Sequence, residues 1–328
     1  MYSSAVNSVP QCEMYFCFPL YFWIIFPFQN PSTIMKFSLV VSLLCACTFQ
    51  TFAGTQAPAE TGQKGLRILS YNIKCLPRII RRAHHYPLKR APIIPQYVIE
   101  ENPDIVVFQE AFDGAADRIL KKKLKAKYPY ILGPVNKKAG FKINGGVLIC
   151  SKYPMRKLGT VQYSQCDDFD CWARKGVMLV EVTIGNHTFQ IAGTHMNGGG
   201  SVALKTSQYR EMGNLVKEFA RPGVPQFCVG DYNTSNLEPQ YYNALISNMD
   251  AEDGPISGDL QVTNDHLNND MEEDFNPKDR NIIDYILYRP NGIRPQKMTR
   301  TIKQYCYPWM KGHDDLSDHY ALVMDLTW

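Results

Sequence analysis

The chain lacks most of the features that would assign it quickly. It carries no strong charge of one sign: 35 Lys and Arg against 31 Asp and Glu leave a net charge of +4 over 328 residues. There is no basic tail, so the composition does not announce a nucleic-acid binder. No Cys/His spacing of the zinc type occurs. The glycine run Gly198-Gly199-Gly200 is followed by no Gly-Lys-Ser/Thr, which excludes a P-loop and leaves a mobile loop. No internal repeat and no second composition regime appear, so one domain is expected. The aromatic stretch 16–28 is short and broken by proline, which argues against a membrane span.

What is present begins with an export signature. Met35-Lys36 leads into the apolar run 37–47 and then Thr51-Phe52-Ala53, an acceptable cleavage site. Residues 1–53 are read as an upstream extension plus signal peptide starting at Met35, and 54–65 as a linker. The expected location is secreted or periplasmic. A second reading takes residues 44–47 as a lipobox, with Cys47 lipid-anchored. Past Ala53 the cysteines are Cys75, Cys150, Cys166, Cys171, Cys228 and Cys306. Cys150 and Cys228 sit in apolar runs and read as core thiols. Cys166 and Cys171 share a short loop and could pair in an oxidising compartment.

With 45% hydrophobic residues the remaining chain can bury a large core. Strands are expected at 66–73, 104–110, 145–151, 176–184, 188–195, 226–231, 282–288 and 320–326. Asn186 marks a hairpin turn. Helices are expected at about 92–101, from Asp113 as N-cap through a Lys-rich solvated face, at 207–219 and near 239–249. His84 and His85 fall in a basic loop, as surface histidines. Apolar strands interleaved with helices need cover on both faces, which gives an α/β (α+β) domain over 66–328.

Polar groups recur at the strand ends: Asn72, Glu110, His195, Asp231, Asn233, Asp284, Asp318 and His319. Any one of them could cap a helix or close a turn. Together they form an oxygen-rich set suited to a hard cation such as Mg²⁺ and poorly suited to zinc. His319 can take a proton from water near neutral pH, and Asp284 can fix its ring. His195 can bond a phosphoryl oxygen.

Tyr71-Asn72, Gln109-Glu110, Gly193-Thr194-His195, Gly230-Asp231-Tyr232-Asn233, Ile283-Asp284-Tyr285-Ile286 and Ser317-Asp318-His319 occur in that order. This set resembles the endonuclease/exonuclease/phosphatase superfamily, the DNase I-like four-layer sandwich of two mixed β-sheets flanked by helices. The resemblance implies a metal at Glu110, with Asn72 and Asp318 beside it. It implies that Asp231 and Asn233 orient water and phosphate, that His319 is the base and that His195 stabilises the transition state. Asp284 and Asp318 would support the imidazoles or a second metal. The segment from Asp170 to Lys175-Gly176 resembles that of neutral sphingomyelinases, which puts Lys175 in the site. The stretch 263–269 loosely resembles another segment of that group. Pro277-Lys278-Asp279-Arg280 departs from the inositol polyphosphate phosphatase pattern.

The expected activity is therefore a Mg²⁺-dependent phosphodiesterase of the sphingomyelinase type, with Mn²⁺ or Co²⁺ as substitutes. It would be a monomer acting on membrane phospholipid rather than nucleic acid. The alternative is a secreted DNase I-like endonuclease. Tyr307, Trp309 and Met310, beside Lys311, are expected to form an interfacial anchor.

Overall fold

The computed structural model describes residues 65–77, 86–272 and 275–328. The signal-peptide and Cys47 expectations, the linker up to residue 64, and His84 and His85 lie outside the described residues; Gly65 opens the first strand.

Two mixed sheets stack face to face. The larger has the order β3 (Tyr130–Leu132), β4 (Leu148–Ser151), β2 (Ile105–Ala111), β1 (Gly65–Cys75), β16 (Ala321–Thr327), β13 (Lys297–Lys303) and β9 (Ile256–Ser257). The smaller has the order β12 (Asp284–Arg289), β8 (Gln226–Asp231), β7 (His187–His195), β6 (Gly176–Ile184) and β5 (Met155–Gln162). In the first, β1 runs parallel to β2 and antiparallel to β16. In the second, β7 runs parallel to β8 while the other neighbours are antiparallel. Two short ribbons flank them: β10 (Asn264–Asp265) with β11 (Arg280–Asn281), and β14 (Cys306–Met310) with β15 (His313–Asp315).

The apolar runs of β1, β2, β7 and β8 are buried on both sides because each sheet is sandwiched. One core lies between the sheets, where Ile68, Val107 and Ile149 meet Val180, Ile191 and Val229. A second lies under α1 (Pro87–Arg90), α2 (Ile94–Glu101) and α3 (Gly114–Leu124), which supply Ile94, Val98, Leu120 and Leu124. A third lies under α4 (Val202–Glu218) and α5 (Pro239–Met249), built on Tyr209, Met212, Val216 and Leu245. The order is helix, sheet, sheet, helix, as the resemblance implied.

Local rules explain the element ends. Asp113 Oδ1 accepts from the amides of Ala115 and Ala116 at 2.8 and 2.9 Å, capping α3. Ser201 Oγ accepts from Leu204 N at 3.3 Å, so α4 starts earlier than the apolar pattern of 207–219 indicated. Gly185, at φ 58°, turns β6 into β7 beside Asn186. Several strand-forming segments escaped the pattern, β5, β13 and the ribbon at 306–315 among them. β5 is half-exposed with a bulge at its Lys157–Gly159 step. β13 alternates Thr with Lys and Arg, and residues 306–315 form a ribbon where a loop was expected. The run at 145–151 pairs only from Leu148.

Candidate active site

Strand register draws the polar residues into a line. Gly176 pairs with His195, His195 with Asp231, and Asp231 with Asp284. The line crosses four strands of the smaller sheet at one edge. Asp284 does not lie inside its strand, as the apolar run suggested; it opens β12. Because β12 is antiparallel to β8, its first residue lies beside the last residue of β8. Asp318 and His319 likewise precede β16, which is antiparallel to β1. Thus ends of parallel strands and beginnings of antiparallel ones share one rim.

The larger sheet supplies the facing residues. Asn72 Nδ2 lies 3.2 Å from Glu110 Oε1, 2.9 Å from Asp231 Oδ2 and 3.4 Å from His319 Nε2. One buried amide therefore joins groups from three other segments. Its Oδ1 accepts from Lys74 N at 3.1 Å, so Asn72 as placed holds the carboxylates. Glu110 takes a left-handed backbone, φ 57°, at the end of β2. Such a conformation costs about 1–3 kcal/mol in a non-glycine residue and is found where a side chain must be aimed. Gly230, at φ 154°, lets β8 approach β7: a Cβ there would fall 2.1 Å from Thr194 O.

His319 Nδ1 sits 2.8 Å from Asp284 Oδ2, so Nε2 is left facing the site, 3.8 Å from Asp231 Oδ2. Burial pulls the His319 imidazole down, but Asp284, Asp231 and Asp318 together outweigh it and lift it well above the ordinary histidine value. Burial pushes Asp284 up to about 6 against the pull of His319. The short contact marks the pair as one charge-sharing dyad. His195 behaves oppositely: burial first, then Lys175, holds it well below the ordinary value, so it is neutral. Burial and the neighbouring Asp318 raise Glu110 to about 7. Burial would raise Asp318 too, but Lys74 and His319 outweigh it and set it at about 2.

Lys175 is buried, with Nζ 2.7 Å from Asp170 Oδ1, 2.8 Å from Met196 O and 3.0 Å from His195 Nε2. Asn233 Nδ2 reaches Asp231 Oδ2 at 3.2 Å and His195 Nε2 at 3.3 Å. Asp318 Oδ2 pairs with Lys74 Nζ at 2.6 Å, and its Oδ1 lies 3.2 Å from Ser317 Oγ. Glu110, His195 and Asp231 form one group able to hold a cation, and Asp231, Asp284 and His319 another. Asp318 belongs to neither among the described residues. Among the described residues, Oε2 of Glu110 and Oδ1 of Asp284 are buried without a hydrogen-bond partner. A carboxylate oxygen left dry in this way has the desolvation cost that a cation removes. The oxygen donors of the first group, on Glu110 and Asp231, are of the kind that fits a hard divalent ion.

Lys74, Lys205 and Arg90 were not anticipated. Lys205 Nζ donates to Asn197 O and Tyr232 O at 2.5 and 2.7 Å, and burial lowers it to about 7. Arg90 donates to Ile73 O, Lys74 O and Leu316 O, tying β1 to the segment before His319. A lysine in an amphipathic helix normally reads as solvated, so Lys205 left no signal. Lys74, two residues past Asn72 in one strand, could have been found. Thr263 does sit at the site: its Oγ1 accepts from the amides of Ile283 and Asp284, and its carbonyl from Tyr320 N.

The expected interfacial anchor is corrected in part. Trp309 is 9% exposed; its Nε1 donates to Asp315 O at 2.7 Å and its ring lies under Arg90. An indole with a buried partner is held in the fold. Met310 is half-buried, and Tyr307 alone of the three is exposed. The Cys166–Cys171 disulfide is present, and Cys150 and Cys228 are buried thiols.

A rim of carboxylates, amides and two histidines between two stacked mixed sheets is an arrangement suited to hydrolysis. The chain belongs to the Endonuclease/Exonuclease/phosphatase family, whose model matches residues 69–319. Within it, the chain is 24% identical to a phospholipase C of Staphylococcus aureus over 306 residues, 81% of this chain and 89% of that one. Its fold matches sphingomyelinase C from Streptomyces griseocarneus with a TM-score of 0.72 at 25% identity, over 80% of this chain and 99% of that one. A beta toxin variant from Staphylococcus aureus, solved with bound magnesium ions, matches with a TM-score of 0.70 at 22% identity over 79% and 98%.

Proposed function

We propose that this protein is an exported, Mg²⁺-dependent phosphodiesterase that cleaves sphingomyelin to phosphocholine and ceramide. The observation that carries the reading is the meeting of Glu110, Asn72, Asp231 and His319 around one buried amide, from segments up to 247 residues apart. The similarity to sphingomyelinases and a phospholipase C supports the substrate class, and the disulfide suits an oxidising compartment.

His319, oriented by Asp284, is a base only with Nε2 unprotonated, and in that form it takes the proton of the attacking water. Asp231 and Asn233 position that water and a phosphoryl oxygen. Lys175 donates to Nε2 of neutral His195, so the positive charge beside the oxygen that gains charge in the transition state is that of Lys175, steadied by His195. A cation bound by Glu110 would neutralise phosphate charge and polarise the phosphoryl group.

Hydrolysis of sphingomyelin vesicles, run beside plasmid nicking, tests the reading. We expect release of phosphocholine that chelator silences and Mg²⁺ restores, with little nicking. Glu110→Ala should lower turnover by ~10³-fold or more. Turnover untouched by either treatment overturns the reading; nicking without lipid hydrolysis assigns the same site to a nuclease.

A further inference from the structure

With Trp309 enclosed, the apolar surface of the protein lies elsewhere. Phe141, Phe169 and Trp172 are 103%, 82% and 68% exposed. Isolated exposed aromatics are ordinary, but these occupy two loops zipped together. Ile143 N donates to Trp172 O at 3.0 Å and Arg174 N to Ile143 O at 3.1 Å. The Arg174 guanidinium bonds the carbonyls of Lys138, Ala139 and Lys142. The Cys166–Cys171 disulfide closes the second loop around Phe169. The aromatics are therefore held outward by a braced backbone.

Charge on the face is mixed and weighted to cations. Lys137, Lys138 and Lys142 are exposed beside the aromatics, against exposed Asp167 and Asp168. Aromatic tips with exposed lysines along one of the two loops suit the phosphate layer of a lipid surface, where rings enter the acyl boundary and ammonium groups meet phosphates. The face also adjoins the active site. A cavity of about 320 Å³, lined by Leu76, Pro77, Phe112, Ile143 and Phe169, opens beside it. The Phe112 ring lies 6.0 Å from that of His195, so the cavity's inner wall borders the chemistry. Asp170, at the cavity wall, is bonded to Lys175.

We propose that Phe141, Phe169 and Trp172, with the neighbouring lysines, dock the enzyme on a phospholipid bilayer, with the cavity opening toward the lipid. The nature of the lipid presented rests on the sphingomyelinase reading; the docking itself does not. Flotation with vesicles of phosphatidylcholine and sphingomyelin tests it. Phe141→Ala with Trp172→Ala should lower partitioning about tenfold or more, with an unaltered melting curve. Tyr307→Ala on the ribbon should leave it within about twofold. Equal partitioning of the double variant and wild type overturns the proposal. So does wild type that fails to float, or a loss confined to Tyr307→Ala. Sphingomyelin hydrolysis is scored separately. Wild type that floats through these aromatics yet hydrolyses no sphingomyelin overturns the activity reading and leaves the docking standing.

Discussion

Asp284 shows how one side chain sets the character of the site. Its contact with His319 Nδ1 fixes the ring and favours the imidazolium. Asp284→Asn removes that carboxylate, so the His319 pKa falls and the neutral base persists to lower pH. The acidic limb of the kcat/KM profile should therefore move to lower pH, while kcat drops by roughly 10²–10⁴-fold. A pH–rate series on the Mg²⁺-loaded enzyme reads both; an unmoved limb separates Asp284 from the base. Arg90 is a different case. It is fully buried and satisfies the carbonyls of residues 73, 74 and 316. Arg90→Ala leaves those acceptors dry, and a loss of ~3 kcal/mol in a urea titration is expected.

At the scale of elements, the ribbon of β10 and β11 brings Asn264 against His319. Arg280 holds it closed, donating from Nε and Nη2 to the two oxygens of Asp265 at 2.8 and 3.0 Å. Burial would raise Asp265, but Arg280 and Asn268 outweigh it and keep it below the usual carboxylate range. A carboxylate lowered in the folded state adds stability above its unfolded value of about 3.9, and that stability is lost as pH falls through the lower folded value. Arg280 is partly exposed, so solvent screening limits the pair to ~1 kcal/mol. Arg280→Ala should raise amide exchange in residues 264–281 at pH 7, and the difference from wild type should shrink in acid. Equal exchange at pH 7 would show that the pair does not hold the ribbon.

The same elements show what could be read in advance. The strands with continuous apolar runs, such as 104–110 and 226–231, were legible, and with them the residues at their ends. β5 and β13 were not, because an edge strand and a one-faced strand carry Lys, Arg and Thr where a sandwiched strand carries Val and Ile. Trp309 misled because an aromatic beside lysine looks the same in sequence whether its indole N–H meets water or Asp315 O. The polar set of the site was legible, while Lys205 and Arg90 were hidden. Their role comes from carbonyls distant in sequence, and no local pattern records those.

Over the whole molecule, the two sheets meet at Gly193, where a Cβ would lie 3.0 to 3.1 Å from Val107 and Ile149 of the other sheet and Val147 just before β4. Gly193→Val wedges the layers apart, and a loss of ~1–3 kcal/mol is expected. Because both sheets share that core, calorimetry should record one transition moved to lower temperature; two separated transitions would mean that the layers melt independently. β1 finds its antiparallel neighbour only in β16, and His319 lies just before it. A ribosome must therefore translate past residue 319 before either the base or β16, the strand between β1 and β13, exists. A chain that ends before residue 319 lacks both His319 and the strand that pairs with β1 and β13.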